Sequence, residues 1–319
     1  MNADLLINNI TNPTLLFFLL GIIAFLVKSD LAIPESSSKF ISLYLLFSIG
    51  FKGGQELQHS SITSEIIYSL IFAILISGVI PIYTFFLLKR KLSISDAGAI
   101  ASAYGSVSTV TFVSAVSFLD IQTIDYGGHM VAVMALMEFP AIVSGVIMMR
   151  LFDKTSIKST QSIISHSLFN GSVLLLMGSL LIGVLADTKQ AEGIKPFTND
   201  IFKGFLAIFL LEMGIVAANR FSAFRKQGWF LMLFSILIPL LNGLIISYLS
   251  QFVTKDVGNR FIFTILASSA SYIAVPAAMK LAAPKADPGL YIPMALGVTF
   301  PFNITVGFSI YYWMILQTQ

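Results

Sequence analysis

Two short stretches put hydroxyl groups where an apolar chain has no general need of them. Residues 103–112 read AYGSVSTVTF, and residues 268–277 read SSASYIAVPA. The first sets Gly105 before Ser106, Ser108, Thr109 and Thr111. The second sets Ser268, Ser269 and Ser271 before Tyr272 and Pro276. Glycine and proline both spoil a continuous helix. Within a bilayer, an interrupted helix is tolerated only where it is buried in protein or lines a wet cavity. The interruption frees N–H groups at the start of one half-helix, and these attract anions. It also frees carbonyls at the end of the other, which together with hydroxyls suit Na+. Two such breaks facing each other form a chamber ringed by Ser and Thr rather than Arg. That chemistry fits a small, singly charged, hydrogen-bonding anion held by Ser106, Ser108, Thr109, Ser269 and Ser271 with nearby backbone N–H groups. Tyr272 stands beside them. The plainer reading is that small residues here let helices pack closely; two clusters at matched positions of a repeat favour a site.

Glu138 is the second chemically loaded position, in MALMEFPAIVSG (134–145) just before Pro140. Insertion scales charge about 2.5–3.5 kcal/mol for an Asp at a helix centre, so a carboxylate at that depth is usually functional. A bound Na+ or a proton would remove the cost. The aligned stretch of the second half offers Thr299, Asn303 and Thr305, oxygen donors without charge. Glu138, Asn303 and Thr305, with Thr299 beside them, are therefore the candidate cation ligands; a Glu hydrogen-bonded to a neighbouring helix is the alternative. Glu212 fits structural pairing as well as function. Lys52 lies near a span end and is expected to snorkel. Gly50, Gly53 and Gly54 suit close helix approach, Asn242 an interhelical hydrogen bond, and Lys89, Arg90 and Lys91 an orientation signal.

These residues must be positioned by membrane-spanning helices. Of the 319 residues, 56% are hydrophobic and 11% charged, against about a quarter charged in soluble domains. The apolar runs are long and continuous, which argues against a transmembrane barrel. Ten segments are long enough to cross a bilayer, near 12–28, 38–57, 64–89, 94–118, 128–152, 168–187, 197–219, 228–252, 260–283 and 289–315. With both termini outside, the inside holds Lys28, Lys39, Lys89, Arg90, Lys91, Arg150, Lys154, Lys158, Arg220, Arg225, Lys226, Lys280 and Lys285. The outside keeps Lys52, Lys189, Lys195, Lys203, Lys255 and Arg260. The positive-inside rule favours that orientation.

The halves also match each other at an offset of about 160 residues. SGVIPIYTF aligns with SILIPLLNG, pairing Pro81 with Pro239. IGFKGG aligns with MGIVAA, pairing Gly50 with Gly214. Phe139-Pro140 aligns with Phe300-Pro301, and Ser106 with Ser271. An odd number of spans per half turns the second half upside down. The expected fold is thus an all-α membrane protein of two inverted five-helix repeats, 1–152 and 168–319, joined by a cytoplasmic linker at 153–167. Inverted repeats with broken helices are a secondary-transporter architecture, with the site near the bilayer midplane.

Several function classes drop out. Cys is absent, and His59, His129 and His166 are scattered, so thiol catalysis and thiolate metal sites are excluded. There is no phosphate-binding Gly-rich loop, no catalytic triad, and no basic stripe for nucleic acid. Neither an enzyme nor an organic cofactor is expected.

At these residues the chain resembles the sodium-dependent bicarbonate transporters. The resemblance covers nearly the whole length and rests on IPESSSKFISLYLLFSIGFKGGQEL (33–57), YGSVSTVTF (104–112), MEFPAIVSG (137–145), SSASYIAVPAAMKLAAPKADPGLY (268–291) and TFPFNITVGFSIYY (299–312). It implies a ten-span subunit of the cell inner membrane, with a core domain carrying substrate past a gate domain, assembled as a homotrimer, and Na+-coupled uptake of bicarbonate. On matching positions, Gly105, Ser108 and Thr111 fall in the first broken-helix motif and Ser268 and Ser269 in the second. Glu138 stands where the family has Asp before Ile-Pro. The second motif departs from the family's Ser-Ser-Ser-Asp, with Ala270 and Ser271 at its last two positions, so stoichiometry or substrate is open to difference. The interdomain linker is shorter than in cyanobacterial members, which are inhibited by a PII-like protein on the cytoplasmic side. Two other readings stay open: transport of another small organic anion or coupling to H+, and a membrane receptor or scaffold for a nucleotide-sensing protein.

Overall fold

In bilayer hydrocarbon every backbone polar group must find an internal partner, so long apolar segments become helices. The computed structural model describes residues 12–58, 63–153, 171–224 and 228–318, and these contain helices but no strand. In chain order the helices are α1 (Pro13–Leu26), α2 (Glu35–Gln58), α3 (Ser64–Leu88), α4 (Ile94–Gly105), α5 (Thr109–Ile121) and α6 (His129–Phe152). The second half contributes α7 (Gly171–Leu185), α8 (Thr188–Lys195), α9 (Phe202–Phe224), α10 (Trp229–Leu249), α11 (Val257–Ser268) and α12 (Ala274–Ala282). The last rod, α13 (Pro288–Gln317), carries π-helical turns at Met294–Thr299 and Asn303–Gly307 on either side of Pro301. Most of the expected linker, together with Lys154, Lys158 and His166, lies outside the described residues, as do His59, Arg225 and Lys226.

Six helical segments are long and apolar enough to cross a membrane by length and composition, α4 and α5 counting together. Shorter apolar helices lie at Leu15–Leu26, Val173–Leu185 and Val257–Ser268. Helix α2 is long, but it carries Glu35, Lys39, Lys52 and Glu56, which lower its hydropathy. The outward faces are oily. On α3, Ile67, Ile71, Ile74, Leu75 and Val79 are exposed, and on α10, Leu233, Leu237, Leu241 and Ile245. Rows at helical spacing of this kind are rare on soluble monomers. The protein is a multi-pass membrane protein.

Two packing units emerge. Helices α3, α4 and α6 pack together, as do α10, α11 and α13, with α5 against α11. Outside them, α1 pairs with α9 and α2 with α7. Both pairs cross at glycines. A Cβ on Gly21 would lie 2.0 Å from the Leu211 carbonyl oxygen and 3.0 Å from the Gly214 Cα; a Cβ on Gly54 would lie 2.1 Å from the Leu180 carbonyl and 2.8 Å from the Gly183 Cα. Backbone-to-backbone approach this close admits only glycine.

Candidate substrate and cation site

Two helix pairs break at short extended stretches, α4–α5 and α11–α12. Helix α4 ends at Gly105, where a Cβ would lie 2.3 Å from Pro81 Cγ, so glycine is what lets α4 close against α3. Ser106 then turns to extended backbone, φ −86° and ψ 178°. Helix α11 ends at Ser268, and Ser269 takes nearly the same conformation, φ −84° and ψ 174°. The backbone equivalent of Ser106 is therefore Ser269, not Ser271 as the sequence alignment had it. The second break runs two residues longer, 269–273 against 106–108, which carried the alignment out of register. Pro276 is the third residue of α12, in the first turn, where a missing N–H costs nothing.

Each break supplies what the other lacks. The Ser108 N–H donates to Ser269 Oγ at 3.0 Å, and the Ser271 N–H donates to the Ala103 carbonyl at 2.8 Å. Ser108 caps α5 by accepting from the Thr111 N–H at 3.2 Å, and Ser271 Oγ accepts from the Val275 N–H at 3.3 Å. A helix start has four N–H groups without intrahelical acceptors. Ser269 and Ser108 serve two of those on α5, leaving Thr109 and Val110. The Ser106 hydroxyl and the Tyr272 hydroxyl are buried without hydrogen-bond partners among the described residues.

The breaks open into one small pocket of about 20 Å³, lined by Ser108, Thr109, Ser271, Tyr272, Glu138 and, from α2, Ser42. Glu138 has no ion-pair or hydrogen-bond partner among the described residues. Ser42 carries little signal in the sequence beyond its spacing of four from Ser38 on an apolar helix. The remaining candidates do not line this pocket. Gly105 and Thr111 are buried, and Ser268 Oγ donates to its own helix at the Ile265 carbonyl, 3.2 Å.

The expected cation donors of α13 are likewise elsewhere engaged. The Asn303 amide donates to the Ser268 carbonyl at 2.8 Å, and its Oδ1 accepts from the Tyr311 hydroxyl at 3.3 Å. Thr299 donates to the Ser235 carbonyl at 2.7 Å and accepts from Tyr104 at 2.8 Å. Thr305 donates to the Pro301 carbonyl at 2.7 Å. Asn242 makes the expected interhelical bond, donating to the Ala267 carbonyl at 3.2 Å and accepting from Tyr83. Asparagines thus take up the last carbonyls of α11, and Thr299, Asn303 and Thr305 do not line the pocket that holds Glu138. Among the described residues no cluster of three His, Cys, Asp or Glu side chains exists that would hold a metal.

The pocket continues into a vestibule of about 530 Å³, with which it shares Ser42, Tyr272 and Ile273. This vestibule lies toward the start of α2 and the end of α9, and Lys39 and Arg220 stand in its wall. Toward the other end, Lys203 of α9 pairs with Asp120 of α5 at 3.5 Å. Lys52 there lines a smaller cavity with Ser48, Asp120 and Tyr126.

The Na+-dependent bicarbonate transporter superfamily matches the chain over residues 13–316. The chain belongs to that superfamily. No curated protein matches it significantly. Membership agrees with a multi-pass transport protein and with sodium as the coupling ion, and it sets the superfamily's chemistry beside a pocket that offers hydroxyls, helix-start N–H groups and one carboxylate.

Proposed function

We propose that the protein is a Na+-coupled symporter of bicarbonate that works by elevator-like alternating access. The observation that carries this reading is the convergence of both helix breaks and Glu138 on one pocket in a member of this superfamily. A small anion fits the Ser108, Thr109 and Ser271 hydroxyls and the free Thr109 and Val110 N–H groups, since positive helix-start ends favour negative charge. Glu138 supplies the charge for Na+, and that cation lowers the cost of a carboxylate held in the membrane. One Na+ cancels the Glu138 charge and leaves the anion's own charge to the helix-start N–H groups.

The paired glycine crossings support two inverted five-helix repeats. Gly21 meets Gly214, and Gly183 meets Gly54. If α1 corresponds to α7 and α2 to α9, the second crossing is the first with the repeats exchanged. The α1–α9 and α2–α7 pairs make the gate, and the remaining helices make the moving core. The pocket is continuous with the vestibule at the Lys39 and Arg220 end, which supports reading this conformation as one state of the cycle. Labelled bicarbonate uptake into proteoliposomes, with and without an imposed Na+ gradient, tests the reading. Accumulation only with the gradient is expected; equal uptake in both removes the coupling.

A further inference from the structure

A second carboxylate lies on the route from this pocket to the open end. Glu212 sits within α9, inside one of the segments long and apolar enough to cross the membrane. One of its carboxylate oxygens is buried without a hydrogen-bond partner. The side chain lines the vestibule together with Ser38, Ser42 and Tyr272, and Ser38 lies beside it. Lys39 and Arg220 line the same space, yet among the described residues neither forms an ion pair with Glu212. Among the described residues no cationic side chain pairs with it.

Spacing completes the picture. Ser38 and Ser42 are one helical turn apart on α2, so their hydroxyls share a face. Ser42 touches the Glu138 pocket and the Glu212 vestibule alike. Glu138, Ser42, Ser38 and Glu212 thus form a run of oxygen ligands from the core unit to the gate unit. Oxygen-rich sites of this kind suit a hard monovalent cation, and an acidic side chain inside a membrane segment marks an ion pathway.

We infer that Glu212, with Ser38 and Ser42, forms a second monovalent-cation site on the gate, which the coupling ion occupies between Glu138 and the open end. The inference rests on the Na+-coupled reading above. It gives the gate a part in cation release rather than a purely passive one. Lys39 and Arg220, nearer the mouth, favour the departing anion while Glu212 receives the cation, so the two ions separate on different walls of the vestibule.

The test uses the purified full chain in detergent and its thermal midpoint against Na+ concentration, with choline holding ionic strength constant. A ligand that binds the folded state raises the midpoint according to its affinity. Glu138→Gln should leave a residual Na+-dependent rise, and the double variant with Glu212→Gln should lose it. Glu212→Gln alone should raise the half-saturating Na+ about tenfold, the scale of a lost charged ligand. Ser38→Ala, a mild change in a half-buried wall, should shift it in the same direction and guards against a folding defect in the Gln variant. Loss of the whole Na+ response in Glu138→Gln, with Glu212→Gln and Ser38→Ala like the parent, would overturn the second site and leave coupling intact. A parent protein indifferent to Na+ would overturn both.

Discussion

Ser268 and Ser269 are adjacent, both almost wholly buried, and chemically identical, yet the structure gives them different work. The Ser269 hydroxyl donates to the Leu266 carbonyl at 2.8 Å and accepts the Ser108 N–H at 3.0 Å, joining one break to the other. The Ser268 hydroxyl donates to the Ile265 carbonyl of its own helix at 3.2 Å and lies beside Tyr311. Ser269→Ala leaves the Ser108 N–H buried and unpaired, which costs about 1–3 kcal/mol. Ser268→Ala removes a local bond whose carbonyl acceptor keeps its place in the helix, so the cost falls near the low end for a neutral bond, about 0.5 kcal/mol. The two variants, compared by thermal midpoint in detergent and by bicarbonate KM in proteoliposomes, should separate clearly. Ser269→Ala should melt lower and raise KM about tenfold, because the helix start that faces the anion loses its anchor. Ser268→Ala should stay close to the parent in both. Equal effects from the pair, or the larger one from Ser268→Ala, would refute the joined-break geometry.

Other changes follow from the same contacts. Gly105→Ala drives a Cβ to 2.3 Å from Pro81 Cγ and should destabilise by about 1–3 kcal/mol, as overpacking does, whereas Gly178→Ala, with nothing within 4 Å, should be neutral or slightly stabilising by thermal melt. Arg260, buried at 1% exposure, donates to the Ser247 carbonyl at 2.8 Å and the Thr318 carbonyl at 3.3 Å, tying the ends of α10 and α13. Lysine lacks the guanidinium fork, so Arg260→Lys should lower the melting midpoint while leaving KM for bicarbonate unchanged. Glu138→Gln should weaken the Na+ dependence of uptake at least about tenfold with a near-parental melt in the absence of Na+; normal Na+ dependence would make Glu138 structural.

Much of this was legible in the sequence, for physical reasons. Gly105, Pro276 and dense hydroxyls cannot sit in a plain lipid-facing helix, so the breaks declare themselves by residue type. The register between them does not, because the second break is longer by two residues and nothing in SSASYIAVPA reveals which serine takes the extended turn. Gly50, Gly53 and Gly54 signalled close helix approach; Gly50 and Gly54 meet the α7 backbone, and Gly53 meets Val131 and the Gly128 carbonyl. The helix end-caps were invisible. Asn303 and Thr299 look like free polar groups in a string of letters, but in the fold they donate to the Ser268 and Ser235 carbonyls. Ser42 was equally hidden, since a single serine in a long apolar helix is ordinary until another helix brings a carboxylate opposite it. Helix α2 shows the limit of hydropathy alone, because its four charges obscure a helix as long as its neighbours.

The most direct measurement is a density map of the protein with saturating Na+ and bicarbonate. Expected are a planar anion between the start of α5 and Ser271, within hydrogen-bond reach of the Thr109 and Val110 N–H groups, and a cation beside Glu138. An empty pocket with the anion bound elsewhere, or a continuous helix through 105–109 or 268–274, would contradict the proposed site.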